Sequence, residues 1–367
     1  MSGVQDQFAR GTMNRKGVCY DVGSYMAFNW RPHFDGEQVH RELEIIKDDL
    51  HCNAIRISGN DLGRLTLAAR HAMENGLEVW FHPTLWNRPP DETLQYLSKA
   101  AKAAEEVRQK GGGEMVFVAG GELTLFMQGI VEGRRFRERL ANPNLMARVK
   151  AGEHNKPLNE FLAGANQAIR SVYQGKVTYA SLVWEQVDWG AFDFVGVDHY
   201  RTTKMEDRYV QMLEPSFKHG KPVVVTEFGY ATTHGGIGDV GLLLSSAGLE
   251  EGLIDLMSQY FHYKLPLIGR FIRPHLNGEH VRDEAWQAKK LVETLDILDK
   301  AGADGAFVSG FLSQITPYSD DPRYDLDMAS SSLVKYFEGG RRGSTYPDMP
   351  WEPKESFRAV AEYYQRP

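Results

Sequence analysis

The chain has few cysteines, no long apolar run and no excess of basic residues. Only Cys19 and Cys52 occur among its 367 residues, which excludes a disulfide framework and a four-thiolate metal site. No segment reaches the roughly 18 consecutive apolar residues that a membrane-spanning helix needs. The N-terminal residues also lack the apolar core of a signal peptide. From these absences we expect a cytoplasmic protein without a membrane partner.

The charge balance is mildly acidic. The chain has 42 Lys and Arg residues against 49 Asp and Glu residues, which gives a net charge of −7. A phosphate backbone is bound through an excess of basic residues, so we expect no nucleic-acid partner. Hydrophobic residues make up 42% and charged residues 25% of the chain, which is typical of a globular protein with a large core.

Several motifs of cofactor and metal chemistry are also missing. No GxGxxG dinucleotide loop follows the first predicted strand, and the sequence contains no GxSxG nucleophile elbow and no HExxH zinc motif. Its 12 histidines form no metal-ligand pattern at the end of any predicted strand. We therefore expect neither a metal ion nor a cofactor.

Short apolar runs alternate with longer segments of helical periodicity. Runs that are apolar almost throughout are typical of parallel strands buried on both faces. Eight such alternations predict a (β/α)8 TIM barrel. The alternative is a doubly wound open sheet, which usually carries a glycine-rich loop after its first strand; here that strand leads into the aromatic segment DVGSYMAFNWRP. The predicted strands are residues 17–23, 53–58, 77–83, 114–122, 177–182, 192–200, 221–230 and 304–312.

No proline-rich or serine-rich linker divides the chain, so we expect one barrel domain over residues 1–367. Amphipathic spacing, acidic starts and glycine stops predict helices in the segments between strands. The long segment 231–283 after strand seven is expected to be an insertion, and 313–367 a C-terminal extension. The predicted helices are residues 36–50, 91–113, 158–175 and 284–302.

Two glutamates close apolar strands. Glu122 ends the run VFVAGGE and Glu227 ends the run VVVTE. A carboxylate directly after several apolar residues is costly to bury unless it is paired or functional. In a (β/α)8 barrel, the carboxyl ends of all strands meet at one mouth. Two carboxylates across such a mouth are the arrangement that glycoside hydrolysis uses.

With these motifs, the sequence resembles the clan of retaining glycoside hydrolases on (β/α)8 barrels, which includes family-five cellulases and endo-β-galactosidases. The segment KPVVVTEFGY is similar to the clan's strand-seven motif. The resemblance implies that Glu227 is the nucleophile and Glu122 the acid/base. It also implies that Arg56 pairs with the nucleophile and that Tyr200 donates a hydrogen bond to it.

The resemblance extends to residues expected to contact the sugar, and it has two departures. His82 resembles a strand-three histidine that lines the sugar site, and His199 loosely resembles a strand-six histidine. The clan usually has Asn before its acid/base, where this chain has Gly121. The clan's strand-eight Trp is replaced by Phe307 or Phe311. Both departures imply an unusual substrate, a specialised family or lost activity.

Aromatic side chains near the predicted mouth are expected to stack on sugar rings. We expect this role for Tyr25, Trp86 and Trp184. The sequence thus predicts a retaining glycosidase that acts on a small or soluble carbohydrate. Two alternatives remain open: a non-catalytic carbohydrate-binding or defence-associated barrel, and a barrel lyase or isomerase. The sugar, its anomeric configuration and the oligomeric state are not indicated by the sequence.

Overall fold

Eight parallel strands close into a barrel at the centre of the structure. The computed structural model describes residues 13–25, 28–29, 31, 34–202, 205–233 and 273–366. Each barrel strand lies within a few residues of its predicted range. The strands are β1 (Arg15–Asp21), β2 (Ala54–Gly59), β3 (Glu78–Pro83), β4 (Met115–Gly121), β5 (Lys176–Leu182), β6 (Val195–Asp198), β7 (Val223–Phe228) and β8 (Gly305–Val308).

Each strand pairs in parallel with the next one in the chain, and β8 closes the ring on β1. Gly17 of β1, for example, stands opposite Ala54 of β2 on one side and Phe307 of β8 on the other. The predicted (β/α)8 TIM barrel is thereby confirmed, and the alternative prediction of an open doubly wound sheet is wrong. The carboxyl ends of all eight strands consequently surround one mouth.

Aromatic rings fill the barrel interior. The ring centroid of Trp80 lies 5.2 Å from that of Phe194 and 5.1 Å from that of Phe307. Gly17 permits this packing, because a Cβ atom at that position would lie 2.4 Å from the Phe307 ring. The interior is therefore a packed core rather than a pore, and ligand space is confined to the mouth. The interior cluster consists of Ala54, Trp80, Val116, Val118, Ala180, Phe194, Val224 and Phe307.

Helices surround the barrel, and the four predicted ones are confirmed with ends shifted by a few residues. Aspartates begin three helices, because the Asp35, Asp61 and Asp283 side chains accept backbone N–H groups of the first turn. None of the helices in the described ranges combines the length and apolar character needed to cross a membrane. The helices are α1 (Gly36–Asp48), α2 (Leu62–Glu74), α3 (Pro90–Gly111), α4 (Leu123–Phe126), α5 (Phe136–Leu140), α6 (Leu145–Ala151), α7 (Asn155–Arg170), α8 (Tyr209–Phe217), α9 (Glu284–Lys300) and α10 (Glu355–Tyr364).

The segment after strand eight contributes to the outer helical layer. It contains a two-stranded antiparallel ribbon, formed by Val334–Tyr336 and Trp351–Pro353, and then α10. Helix α10 packs against α9, and its Tyr364 hydroxyl donates a hydrogen bond of 2.8 Å to the Gly17 carbonyl of β1. Of the predicted insertion 231–283, residues 234–272 lie outside the described part of the chain.

A buried ion cluster ties this C-terminal segment to the barrel. The Lys354 ammonium is fully buried and lies 2.8 Å from an Asp327 carboxylate oxygen, which also pairs with Arg282 at 2.8 Å. Lys354 further donates a hydrogen bond of 2.9 Å to the Thr232 hydroxyl, just beyond β7. Removing Lys354 would leave the buried Asp327 with Arg282 as its counter-charge and would remove one half of a fully buried ion pair, which is destabilising.

We therefore predict that Lys354→Ala lowers the free energy of unfolding by about 3–5 kcal/mol, because Asp327 loses a buried counter-charge. Urea unfolding followed by circular dichroism measures the loss. Lys289→Ala is the matched control, since the Lys289 side chain is 72% exposed and its ammonium pairs with Glu293 within α9. A Lys354→Ala variant as stable as the control would show that the cluster does not anchor the C-terminal segment.

Candidate active site

A cavity of about 230 Å³ opens at the carboxyl ends of the barrel strands. It brings together most of the residues that the sequence singled out, from strands that are distant in the chain. A polar floor near the barrel axis meets an apolar wall formed by the segments that follow β3, β4 and β8. The sequence-predicted residues that line it are Arg56, His82, Trp86, Glu122, Tyr200 and Glu227.

Both carboxylate oxygens of Glu227 are held by hydrogen-bond donors. Arg56 Nη1 lies 2.8 Å from Oε2 and forms a buried ion pair with it. The Tyr200 hydroxyl donates to Oε1, and the Ser309 hydroxyl donates to the same oxygen over 3.2 Å. Charge-assisted hydrogen bonds of this kind fix the orientation of a carboxylate. Glu227 is therefore a rigid, charge-paired acid that faces the cavity.

Glu122 has the opposite environment. Burial raises its pKa well above the ordinary value, and the negative charges of Asp198, Glu227 and Glu185 raise it further. Its backbone adopts the left-handed conformation, with φ of 48°, which is strained for a residue other than glycine. Glu122 is thus a carboxyl group that holds its proton to a higher pH than an ordinary glutamate does, set on a strained turn between β4 and α4.

Two buried side chains that the sequence did not assign stabilise this strained turn. The Tyr179 hydroxyl accepts the Leu123 N–H over 2.8 Å, and the Glu185 carboxylate accepts the Thr124 N–H over 3.2 Å. Tyr179 in turn donates to Glu185 over 3.0 Å. The first free N–H groups of α4 are thereby satisfied. The sequence offered one signal that could have identified this role: Glu185 is a carboxylate just after an apolar strand.

Asp198, the last residue of β6, is a further acid at the site. Its carboxylate accepts a hydrogen bond of 2.7 Å from the Thr226 hydroxyl and lies 3.3 Å from Arg56 Nη1. Burial raises the pKa of Asp198 to about 7; Arg56 opposes this rise and the charge of Glu227 adds to it. Asp198 therefore shares one guanidinium nitrogen with Glu227.

His82 occupies the space beside the acid Glu122. Its Nδ1 is hydrogen-bonded to the Ser58 hydroxyl at 3.1 Å, whereas its buried Nε2 has no partner in the described part of the chain. Burial and the Arg56 charge lower the pKa of His82 well below the ordinary value, so the ring is neutral. A Cβ atom at Gly121 would lie 3.2 Å from this ring. Glycine at that position therefore leaves room for the imidazole.

His199 and Trp184 do not line the cavity. His199 lies between Asp198 and Tyr200 in sequence, and its side chain is buried on the other side, stacked on the Tyr209 ring with centroids 4.0 Å apart. Its Nε2 donates to the Tyr209 carbonyl over 2.9 Å. Trp184 packs edge-on against His154, with centroids 5.1 Å apart. The structure thus gives both residues packing partners instead of a place at the site.

The two other predicted aromatic contacts differ from each other. Trp86 lines the cavity, and its ring stacks on Phe126 with centroids 3.8 Å apart. One face of the indole is therefore already covered. Tyr25 lies in a two-residue strand, Ser24–Tyr25, that pairs with Phe28–Asn29, and its side chain lies outside the described part of the structure. Sugar stacking by Tyr25 stays a prediction.

Several solved structures share this fold. A GH113 β-1,4-mannanase matches with a TM-score of 0.57 and 14% identity, over 97% of this chain and 100% of that one. The GH113 β-mannanase of Alicyclobacillus acidocaldarius matches with a TM-score of 0.53 and 14% identity, over 96% and 97%. A calcium-binding mutant of β-glucuronidase 2 from Bacteroides uniformis matches with a TM-score of 0.55 and 12% identity, over 96% of this chain and 34% of that one.

These likenesses show the fold, at identities too low to carry more. No family model matches the chain, and no curated protein matches it in sequence. The chemistry of this cavity therefore has to be argued from its own residues. Among the described residues, the side chains grouped closely enough to hold a metal ion lie elsewhere, on α1 and α2.

The raised pKa values of Asp198 and Glu122 predict how stability changes with pH. An acid whose pKa is higher in the folded state stabilises the fold fully below its unfolded pKa, near 4, and loses that contribution as pH rises through the folded value. For Asp198 the folded value is about 7. We expect Asp198→Asn to flatten the decline of unfolding free energy between about pH 4 and pH 7, by up to about 1 kcal/mol per pH unit.

Urea denaturation at a series of pH values measures this slope. Asp320→Asn serves as the matched control, because the Asp320 side chain is 77% exposed. Since the readout is a slope, an overall loss of stability in Asp198→Asn does not obscure it. The prediction fails when Asp198→Asn and the control follow parallel curves.

Proposed function

We propose that this protein is a retaining glycoside hydrolase that works by double displacement. Glu227 attacks the anomeric carbon while Glu122 donates its proton to the leaving oxygen. Glu122 then removes a proton from the water that cleaves the glycosyl-enzyme ester. The observation that carries the proposal is the opposite environment of two glutamates in one cavity. Unequal environments are how two carboxyl groups divide nucleophilic and acid work.

The contacts of Glu227 suit a nucleophile. Arg56 holds Oε2 in an ion pair of 2.8 Å, and Tyr200 and Ser309 donate to Oε1. These donors keep the carboxylate in one orientation without covering it, since its side chain is 22% exposed. A fixed nucleophile near its target lowers the entropic part of the barrier. Arg56, Tyr200 and Ser309 therefore act as positioning residues in this mechanism.

The environment of Glu122 suits a general acid. Its raised pKa keeps a proton available where an ordinary carboxyl group would be ionised. When Glu227 becomes an ester, its negative charge is removed and one cause of the raised pKa of Glu122 disappears. The pKa of Glu122 then falls. Glu122, which has just given its proton to the leaving oxygen, therefore stays a carboxylate that can accept a proton from water. A retaining mechanism requires the two carboxyl groups about 5–5.5 Å apart.

The substrate class that fits the cavity is a neutral, small or soluble carbohydrate. Four acids, Asp21, Glu122, Asp198 and Glu227, line the cavity with the single guanidinium of Arg56, so an anionic ligand would meet repulsion there. Neutral His82 offers Nε2 to a sugar hydroxyl, and Trp86 and Phe126 supply an apolar wall. A non-catalytic carbohydrate-binding protein is the second candidate, because this chain has Gly121 at the position where the glycoside hydrolase clan that it resembles usually has Asn.

We predict that Glu227→Gln abolishes turnover and that Glu122→Gln lowers kcat about 10²–10⁴-fold. The measurement is hydrolysis of a panel of aryl glycosides, extended with β-1,4-mannan oligosaccharides, a substrate class that the names of two structural neighbours give. On aryl glycosides with an acidic leaving group, Glu122→Gln retains most of kcat/KM, because the first step then needs no proton, whereas kcat still falls because the second step lacks its base. Glu114→Gln is the control, an exposed glutamate just before the same strand β4.

The outcomes separate the candidate functions. A 2-fluoro sugar that esterifies Glu227, detected by mass spectrometry of the peptide, supports the double displacement. Sugar binding without turnover across the panel, unchanged in Glu227→Gln, favours the carbohydrate-binding protein. Turnover without incorporation of solvent oxygen into the sugar indicates a lyase or isomerase.

The Tyr200 hydroxyl yields a second prediction for the same reaction. Tyr200→Phe removes a donor to Glu227 but leaves the shape of the cavity, so we expect kcat to fall about 10–100-fold with little change in KM. Tyr346→Phe is the control, because its hydroxyl bonds Asp49 instead. Equal kcat values in the two variants would remove Tyr200 from the positioning residues.

A further inference from the structure

Three side chains with metal-binding atoms, His40, His71 and Glu74, converge between α1 and α2, outside the cavity described above, and a fourth, Glu44, pairs with His40. His40 and Glu44 lie one turn apart on α1, and His71 and Glu74 lie one turn apart on α2. One ligand atom from each of His40, His71 and Glu74 lies within 4.8 Å of the others. We refer to these four residues as the α1–α2 cluster.

The spacing within the cluster suits a tetrahedral ion. Zinc bonds to nitrogen and oxygen of about 2.0–2.1 Å imply a separation of about 3.4 Å between ligand atoms. His40 Nε2 lies 3.3 Å from a Glu44 oxygen, and His71 Nδ1 lies 2.9 Å from a Glu74 oxygen. Each helix therefore presents one nitrogen–oxygen pair at nearly the required separation.

Pairing within each helix does not explain the whole arrangement. The two imidazole rings meet edge-on with centroids 4.8 Å apart, although each has its own carboxylate on its own helix. His40 Nδ1 is also buried without a hydrogen-bond partner in the described ranges. An ion bound between the helices accounts for the convergence of His40, His71 and Glu74.

We propose that the α1–α2 cluster binds one divalent transition-metal ion of the zinc class. Imidazole nitrogens with carboxylate oxygens suit zinc, whereas calcium and magnesium favour oxygen ligands alone. The ion would join two neighbouring helices of the outer layer, so its effect is on stability. The proposal is independent of the proposed function, because none of the four residues lines the cavity.

The test is a titration of the untagged full chain, freed of metal with EDTA, with zinc chloride at pH 7.5. We expect one ion per chain by calorimetry, and a rise in melting temperature at saturation. Cobalt chloride in place of zinc gives the visible absorption of a tetrahedral site. His40→Ala and His71→Ala are each expected to weaken zinc binding at least about tenfold. His219→Ala, which changes an exposed histidine in the turn after α8, is expected to bind zinc like the wild type.

Melting of the metal-free variants controls for folding, and His71→Gln offers a milder change should His71→Ala be unstable. No stoichiometric binding would overturn the proposal. Equal affinity in His71→Ala, His71→Gln and His219→Ala would also overturn it, because zinc would then bind elsewhere. Unchanged glycosidase kinetics on adding EDTA are expected in either case, which keeps this test separate from that of the catalytic mechanism.

Discussion

The buried guanidinium of Arg56 is the interaction on which the candidate active site depends. It is the one Lys or Arg side chain among the described residues that line the cavity, where Asp198, Glu122 and Glu227 also meet. Its Nη1 contacts Glu227, Asp198 and the Thr226 carbonyl. Burying several acids without a cation is prohibitive. Because Arg56 is on β2 and its partners are on β6 and β7, only a closed barrel brings this charge to them.

The unequal environments of the two glutamates follow from how they lie relative to that cation. Glu227 receives the guanidinium and two hydroxyl donors, whereas burial and nearby acids dominate the pKa of Glu122 and the Arg56 charge only partly offsets them. Tyr179 and Glu185 instead hold the strained turn that carries Glu122, and Glu185 adds a further negative charge near it. Glu185 therefore both fixes the turn that carries Glu122 and raises the pKa of Glu122.

Much of the fold and half of the site were predictable because both rest on local pattern. Eight apolar runs place the strands, and Glu122, Glu227, Arg56 and Tyr200 all lie at or near strand ends. It was not predictable that the Asp198 side chain, and not that of His199, would line the cavity. The pairing of β6 with β7 shifts register between Val197 and Asp198, and such an irregularity resets which side chains face the mouth. Contacts such as that of Trp184 with His154 depend on loop packing, which has no periodic signal in the sequence.

Gly121 shows how a departure from a familiar pattern can be structurally compensated. A side chain there would press on the His82 ring, at 3.2 Å from its nearest atoms, so the glycine and the histidine occupy that space as a pair. The ring is neutral, since burial and Arg56 both lower its pKa. The Ser58 hydroxyl can donate to Nδ1 or accept from it, and the tautomer of the ring decides whether Nε2 donates or accepts. A ligand hydroxyl beside Gly121 therefore meets the His82 imidazole, in the space that a side chain at position 121 would otherwise occupy. The Ser58 contact holds that imidazole in place.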